Sequence, residues 1–272
     1  MVAALACPEC HAEMAADDRR LLCAQGHSFD IAKQGYVSLL TGAATKMVGD
    51  TPGMLDARER FQAAGHFASI ARAAAEASTA GDPHIGTILE LGAGTGYYLA
   101  AALDVSPGTH GIALDVSKPA ARRAARAHDR AASILADVWR GLPIRDRALD
   151  RVLSVFAPRN PAEVARVLRP GGTFVVVTPT PRHLGELIEP LAMVAVAADK
   201  DERLTDALSA DFTRIDRTEV EFSMSLDHAA VADVAGMGPS AHHGAESRAR
   251  LIGALPDTVP VTASVTITTY RR

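Results

Sequence analysis

Cysteine is missing from everything beyond position 23 of this 272-residue chain: all three, Cys7, Cys10 and Cys23, lie in the N-terminal segment. That denies the bulk of the protein a disulfide framework or a thiol nucleophile. Aromatic residues are also scarce, at 4%, although a hydrophobic content of 48% is ample for a core. No apolar run approaches the roughly 20 residues that cross a bilayer, and Met1 to Ala6 lack the charged and apolar regions of a secretory signal. The chain is therefore read as cytoplasmic, with no membrane partner, a setting that suits reduced, metal-bound thiols. Positive charge is not in excess: 28 Lys and Arg against 32 Asp and Glu give a net charge of -4. This argues against a general polyanion binder but leaves local basic patches open. Internal repeats and low-complexity tracts are absent.

What is present begins with the cysteines. Cys7-Pro8-Glu9-Cys10, a polar stretch with a turn, then Cys23-Ala24-Gln25-Gly26-His27 is the spacing of a treble-clef or ribbon-like zinc site. Three thiolates and one imidazole give Zn²⁺ a soft tetrahedral shell with no open position, so the metal is structural. Gly26 allows the positive φ that the second knuckle needs. His11 adjoins Cys10 too closely to coordinate with it. Glu13 to Arg20 suits an exposed hairpin tip, and Ser28 to Leu40 supplies apolar residues for a small metal-nucleated core.

Thr41 to Met54 is rich in Gly, Thr and Asp and reads as a linker or mobile loop, followed by helix over 55–79 broken near Gly65. From Thr87 short apolar runs alternate with amphipathic segments. Strands are predicted at 87–91, 111–116, 133–137, 150–156, 173–178, 217–225 and 259–270, with helices between Pro119 and His128 and between Pro161 and Leu168. This pattern implies an α/β fold with a parallel sheet wound on both faces. The division expected is a zinc-binding recognition module at 1–42, a linker and helical segment at 43–81, and a catalytic domain at 82–272.

The first of those strands runs into Glu90-Leu91-Gly92-Ala93-Gly94-Thr95-Gly96. Glycines here bend the backbone and admit a ligand closely, and Gly96 lets the next helix pack on the sheet. GxGxG alone would also serve NAD. Glu90 before the turn and Asp115 at the end of the next strand shift the reading to S-adenosylmethionine (SAM), whose ribose hydroxyls such an acid accepts. Asp137 ends the third strand, placed either for the adenine amine or as a helix N-cap. Seven strands with a late hairpin resemble the class I SAM-dependent methyltransferases, a Rossmann-like seven-stranded sheet, and Leu168-Arg169-Pro170-Gly171-Gly172 is the turn that introduces their fifth strand. Phe156-Ala157-Pro158-Arg159-Asn160 is not the Asn-Pro-Pro-Tyr type of adenine and glutamine N-methyltransferases, and no cysteine remains for cytosine C5 chemistry.

The chain further resembles the ribosomal RNA large-subunit guanine-N1 methyltransferases, the RlmA family. The segments carrying this are CPEC…CAQGHSFDIAKQGYVSLL, AGHF at 64–67, LELGAGTGYY, LDVSKPA, ADVW, VFAPRNP, LRPGG and TPTPRHL at 178–184. ADVW, VFAPRNP and GMGPSAHH at 236–243 are similar to the Gram-positive branch, which includes actinobacterial enzymes conferring tylosin-type macrolide resistance. The resemblance implies methylation of N1 of a guanine in a hairpin loop of domain II of 23S rRNA. It implies zinc on Cys7, Cys10, Cys23 and His27, and SAM contacts from Gly94, Thr95, Asp115 and His183. The aromatic that is tyrosine in some relatives is Phe67 here, able to stack near the cofactor but not to donate a hydroxyl.

At neutral pH guanine N1 carries a proton, so some group must accept it or meet the charge that develops on O6. His183, Arg159 and Arg182 are the candidates, and His183 fits a SAM-contacting or core role equally. The target base must leave its stack, to be met by Tyr97, Tyr98 or Phe156, which are also plausible core residues. Lys33, Lys46 and exposed backbone are expected to grip the RNA hairpin. The clusters Arg122, Arg123, Arg126, Arg130 and Lys46, Arg58, Arg60 read either as basic patches or as solvated helix faces. Monomer and homodimer both remain open. The rival functions are a small-molecule methyltransferase and a non-enzymatic RNA-binding assembly protein.

Overall fold

In the computed structural model, residues 1–42, 45–81, 85–197, 200–238 and 245–272 are described. The N-terminal segment folds as a short 3₁₀ turn and a three-stranded antiparallel sheet of β1 (Met14–Asp17), β2 (Arg20–Cys23) and β3 (Ser28–Asp30). The β1–β2 hairpin turns through Asp18, at φ 51°.

Eight strands form the main sheet. Five run parallel: β5 (Thr87–Leu91), β6 (His110–Asp115), β7 (Ala131–Leu135), β8 (Leu149–Val155) and β9 (Leu168–Pro179). The antiparallel hairpin of β10 (Thr213–Asp227) and β11 (Thr258–Arg271) closes one edge against β9. All seven expected strands are present, and an eighth joins them. β4 (Tyr36–Ser38), from the end of the zinc segment, pairs in parallel with β7, giving the order β10-β11-β9-β8-β5-β6-β7-β4. Local pattern could not reveal this, because β4 is three residues long and its partner lies about a hundred residues on. The order reverses direction at β5, where an open α/β sheet places its ligand crevice.

The metal segment shares a core with the sheet. Ala4, Leu5, Met14, Leu21, Val37 and Leu39 pack in one buried cluster with Leu89, Ile112, Ile134 and Val176. Backbone bonds seal the seam, Ala6 N–H to Pro143 carbonyl at 3.0 Å and Arg145 N–H to Ala4 carbonyl at 2.9 Å.

Three helices begin with a polar cap and a proline in the first turn. Thr51 caps α1 (Pro52–Ala63), Ser117 caps α4 (Lys118–Ala124) and Asn160 caps α5 (Pro161–Val167), each side chain accepting a backbone N–H three residues on. α1 thus starts inside the stretch read as linker, and the 45–51 segment before it is tied to the sheet's carboxyl edge. After Gly65 (φ 79°) the chain continues as α2 (Ala68–Thr79). α3 (Tyr97–Asp104) follows β5, α6 (Gly185–Ile188) and α7 (Lys200–Leu208) follow β9, and α8 (His228–Gly236) packs on α1.

Most of the arginine clusters are spent on structure. Arg123 pairs with Asp56 and Glu59 of α1, and Arg130 donates to the carbonyls of Leu103, Ser106 and Thr109. Arg60 pairs with Asp233 on α8. Of the GMGPSAHH segment, Pro239 to His243 lies outside the described residues. No helix among the described residues is long and apolar enough to cross a membrane.

Candidate active site and metal centre

The donor atoms of Cys7, Cys10, Cys23 and His27 all lie within 4.8 Å of one another. The separations are 3.5 Å from Cys7 Sγ to His27 Nδ1, 3.4 Å from Cys23 Sγ to the same nitrogen, and 3.7 Å between Cys10 Sγ and Cys23 Sγ. A tetrahedron built on the usual Zn–S and Zn–N bond lengths has edges of about 3.5–3.8 Å, so this set fits zinc with every position filled. Tight turns hold it: His11 N–H bonds the Cys7 carbonyl at 2.8 Å and Gly26 N–H the Cys23 carbonyl at 2.9 Å. His11 occupies the left-handed conformation at φ 59° that completes the first knuckle and is not among the clustered donors. Burial pushes the Cys7 thiol up. At Cys23 burial acts in the same direction but is outweighed by the N–H groups of Gln25 and His27 and by the Cys10 and His27 side chains, bringing the thiol down to about 6.

A crevice of about 720 Å³ opens at the carboxyl edge of the sheet. Over β5, β6 and β7 it is lined by Glu90, Gly92, Thr95, Asp115 and Asp137; over β8 and β9 by Phe156, Pro158, Pro179 and His183. Phe67, Gln62, Arg58 and Met54 enclose it from the helices, and Met47 to Asp50 from the segment before α1. The sheet order therefore divides the crevice into an acidic lobe and an aromatic lobe.

In the acidic lobe, Glu90 is 1% exposed and accepts the Leu99 N–H at 3.1 Å. Gly96, the N-cap of α3, has no side chain, so Glu90 supplies the capping carboxylate from the preceding strand. Burial raises its proton affinity well above the usual carboxylate range; the Leu99 N–H and Arg58 oppose this, and Asp115 adds to it. A side chain at Gly96 would start 2.6 Å from Ala127 Cβ and 3.2 Å from Ala124 Cα, so this glycine admits the end of α4 and the residues just after it. Asp115 accepts Gly94 N–H and Ser117 N–H, both at 2.8 Å, and burial is again the main reason its carboxyl is raised. Thr95 Oγ1 donates to the buried Gln62 at 2.8 Å, fastening the glycine turn to α1. Asp137 caps the 3₁₀ turn Val138–Arg140 through Trp139 N–H at 2.9 Å and accepts the Thr45 hydroxyl at 2.5 Å, while still lining the crevice.

The other lobe is a ring cluster. Phe156 lies 5.6 Å from His183, 6.3 Å from Phe67 and 6.4 Å from Tyr98. It is 40% exposed and held at φ 54°, a conformation that costs a non-glycine residue on the order of 1–3 kcal/mol. Tyr98 is buried and Phe67 is 2% exposed, with rings packed in the core. His183 Nδ1 accepts Ser264 N–H at 3.1 Å, so the neutral ring carries its proton on Nε2. Arg159 is not among the lining residues; it is half-buried, bonds the Ala157 carbonyl at 3.3 Å, and has its proton affinity lowered by burial. Arg182 pairs with Glu221 at 3.0 Å on the rim. Arg58, Gln62, Thr45 and Asp50 were not singled out as site residues from sequence. The available sign was spacing: Met54, Arg58 and Gln62, four apart, form one stripe of α1.

The SAM fit is favourable on these terms. Asp50, Glu90, Asp115 and Asp137 against Arg58 give the lobe a surplus of acid for a cationic ligand, and a side chain at Gly94 would start 2.8 Å from Arg58 Nη1, in space the turn keeps free.

Residues 5–43 match the family described as RlmA, N-terminal, and residues 88–172 match Methyltransferase domain. A chain from the complex between the Haloferax volcanii Trm112 methyltransferase activator and its methyltransferase has TM-score 0.52 at 21% identity, covering 83% of this chain and 98% of that one. The [4+2]-cyclase SpnF has TM-score 0.50 at 20% identity, covering 74% and 79%. Both show the fold alone, and the cyclase illustrates that the fold does not dictate the reaction. Sequence is more specific. The 23S rRNA (guanine(748)-N(1))-methyltransferase of Streptomyces fradiae is 45% identical over 98% of this chain and 96% of its own. A Micromonospora griseorubida protein named for 23S rRNA guanine-N(1) methylation is 46% identical over 98% and 97%. With a Cys₃His zinc ribbon and a SAM-type crevice in one chain, and likeness of this extent running its whole length, the protein belongs to the family of zinc-containing, SAM-dependent 23S rRNA guanine-N1 methyltransferases.

Proposed function

We propose that this protein methylates N1 of a guanine in a domain II hairpin loop of 23S rRNA, at the position named for the Streptomyces fradiae relative, guanine 748. The observation that carries the reading is the two-lobed crevice beside a zinc ribbon: acids and a glycine turn on one side, an exposed, strained phenylalanine on the other. Bound SAM supplies an electrophilic methyl group on a sulfonium.

The protein's own residues do the rest by placement and exclusion of water. Phe156 offers its face to an extruded purine, which an RNA loop releases at low cost. N1 must lose its proton, which passes to solvent at the mouth of the crevice, as it gains the methyl, and the charge shared with O6 must be met. His183 lines the crevice beside Phe156, its Nδ1 accepting Ser264 N–H, and is the group placed to meet that charge. Arg159 supports this by holding the 157–160 turn, and Asp115, Thr95 and the Gly92–Gly96 turn hold the cofactor with Phe67 and Glu90 behind them. Asp137 holds the adenine end. The zinc segment, with Lys33 and Lys46 exposed, grips the hairpin. The work takes place in the cytoplasm where ribosomes assemble, and modification beside the exit tunnel confers tylosin-type resistance.

Incubating the purified zinc protein with methyl-labelled SAM and either 23S rRNA fragments or a metabolite extract tests the reading. Label entering the RNA at guanine N1 supports it. Label confined to small molecules would favour the rival methyltransferase, and no transfer with no SAM binding would favour a non-enzymatic protein.

A further inference from the structure

The wall that α1 contributes to the crevice holds a cation that sequence placed among surface arginines. Met54, Arg58 and Gln62 share one stripe of α1 and all line the crevice. The Arg58 side chain is 22% exposed. Among the described lining residues Arg58 is the sole Lys or Arg, facing Asp50, Glu90, Asp115 and Asp137.

We propose that Arg58 is the receptor for the α-carboxylate at the amino-acid end of SAM, an assignment that rests on reading the crevice as the SAM site. Three observations converge on it. First, its Nη1 stands 2.8 Å from where a Gly94 side chain would begin, so the guanidinium borders the backbone approach that the glycine turn leaves clear. Second, it is held in place: Nη1 donates to Asp50 Oδ2 at 2.5 Å and Nη2 to the Met237 carbonyl at 2.7 Å, bridging the segment before α1 and the end of α8. A planar guanidinium has five N–H donors, so donors remain for a carboxylate after those two bonds. Third, the chemistry is complementary. The ligand carries one anionic group and two cationic ones, and this lobe offers one cation amid several acids. Asp50, paired beside Arg58, sits where the neighbouring ammonium needs an acceptor, so the Arg58–Asp50 pair matches an α-amino-acid head group charge for charge. Ser117 Oγ donates to the Asp50 carbonyl at 2.7 Å, fixing that residue to the cap of α4.

The test measures binding, not turnover. Calorimetric titration of the zinc-loaded protein with SAM and with decarboxylated SAM gives a ratio of affinities. Arg58→Met, near in volume and uncharged, is expected to reduce that ratio about ten- to hundredfold, the range for hydrogen bonds to a charged group. The loss falls on SAM, while decarboxylated SAM keeps its affinity within about twofold; Arg58→Lys recovers part of the ratio. Equal weakening of both ligands would overturn the assignment, because it would mean that Arg58 acts only by bridging Asp50 and Met237. A ratio unchanged within twofold, with RNA affinity reduced, would overturn it in favour of a nucleic-acid contact. If the wild-type protein bound neither ligand, the reading of the crevice itself would fall, and the assignment with it.

Discussion

Glu90 at the end of β5 and Leu99 in the first turn of α3 are joined by a 3.1 Å hydrogen bond from backbone nitrogen to carboxylate. A strand residue thereby caps the helix that follows the glycine turn, at a point where Gly96 can offer no side chain. The bond couples the shape of the turn to the protonation of a buried acid.

Glu90→Ala removes the cap and leaves a buried N–H unsatisfied, which costs about 1–3 kcal/mol of stability. Glu90→Gln keeps an acceptor without the charge. Because burial raises the carboxyl in the folded protein, the Glu90 contribution to stability is fullest below the unfolded carboxylate pKa near 4.3 and declines as pH rises through the folded value. The stability of Glu90→Gln relative to wild type is therefore expected to improve from pH 4.5 upward in ligand-free urea titrations. A difference independent of pH would contradict this account.

Metal removal should be felt beyond the ribbon. Since β4 pairs with β7, Leu39 N–H bonding the Leu135 carbonyl, and Val37 and Leu39 share a core with Ile134, chelation or Cys23→Ser is expected to deprotect the Val37 and Leu39 amides in hydrogen exchange. Elemental analysis should find one zinc per chain before chelation. Protection of the β4 amides unchanged without zinc would show that the edge strand stands by itself.

Asp115→Asn is more disruptive than its size suggests. Both carboxylate oxygens accept backbone N–H groups, from Gly94 and Ser117, and an amide must turn its own donor toward one of them. SAM affinity is expected to fall at least tenfold by calorimetry, with a lowered melting temperature.

Phe156 separates binding of the two substrates. Phe156→Ala is expected to lower kcat/KM for RNA by roughly 1–3 kcal/mol of lost stacking, about 5- to 150-fold, while SAM affinity stays within about twofold. Phe156→Gly should be no less stable than Phe156→Ala, because glycine accepts φ 54° without strain. An equal loss of SAM affinity would make the ring part of the cofactor wall.

What sequence made legible was local. The cysteine pairs, the glycine turn and the acid at the end of the second strand each sit within a few residues of the structure they create. The hairpin of β10 and β11 announced itself through the alternation of Val261, Ala263, Val265 and Ile267. Contacts across the chain were hidden. Thr45 meets Asp137, and Arg58 meets Met237, over separations of 92 and 179 residues that no spacing rule spans. Asp137 resolved into a cap and a crevice residue together. His183's tautomer depended on Ser264, a strand residue with no motif around it.

The central claim is base identity and position, and one measurement addresses both. N1 methylation blocks the Watson–Crick edge, so primer extension across the domain II hairpin of 23S rRNA should stop at a single guanine in the parent strain. In a strain lacking the gene the stop should vanish, and it should return when wild-type protein is supplied. A stop that persists in the deletion strain, or its absence from the parent, would contradict the assignment of this protein to that guanine.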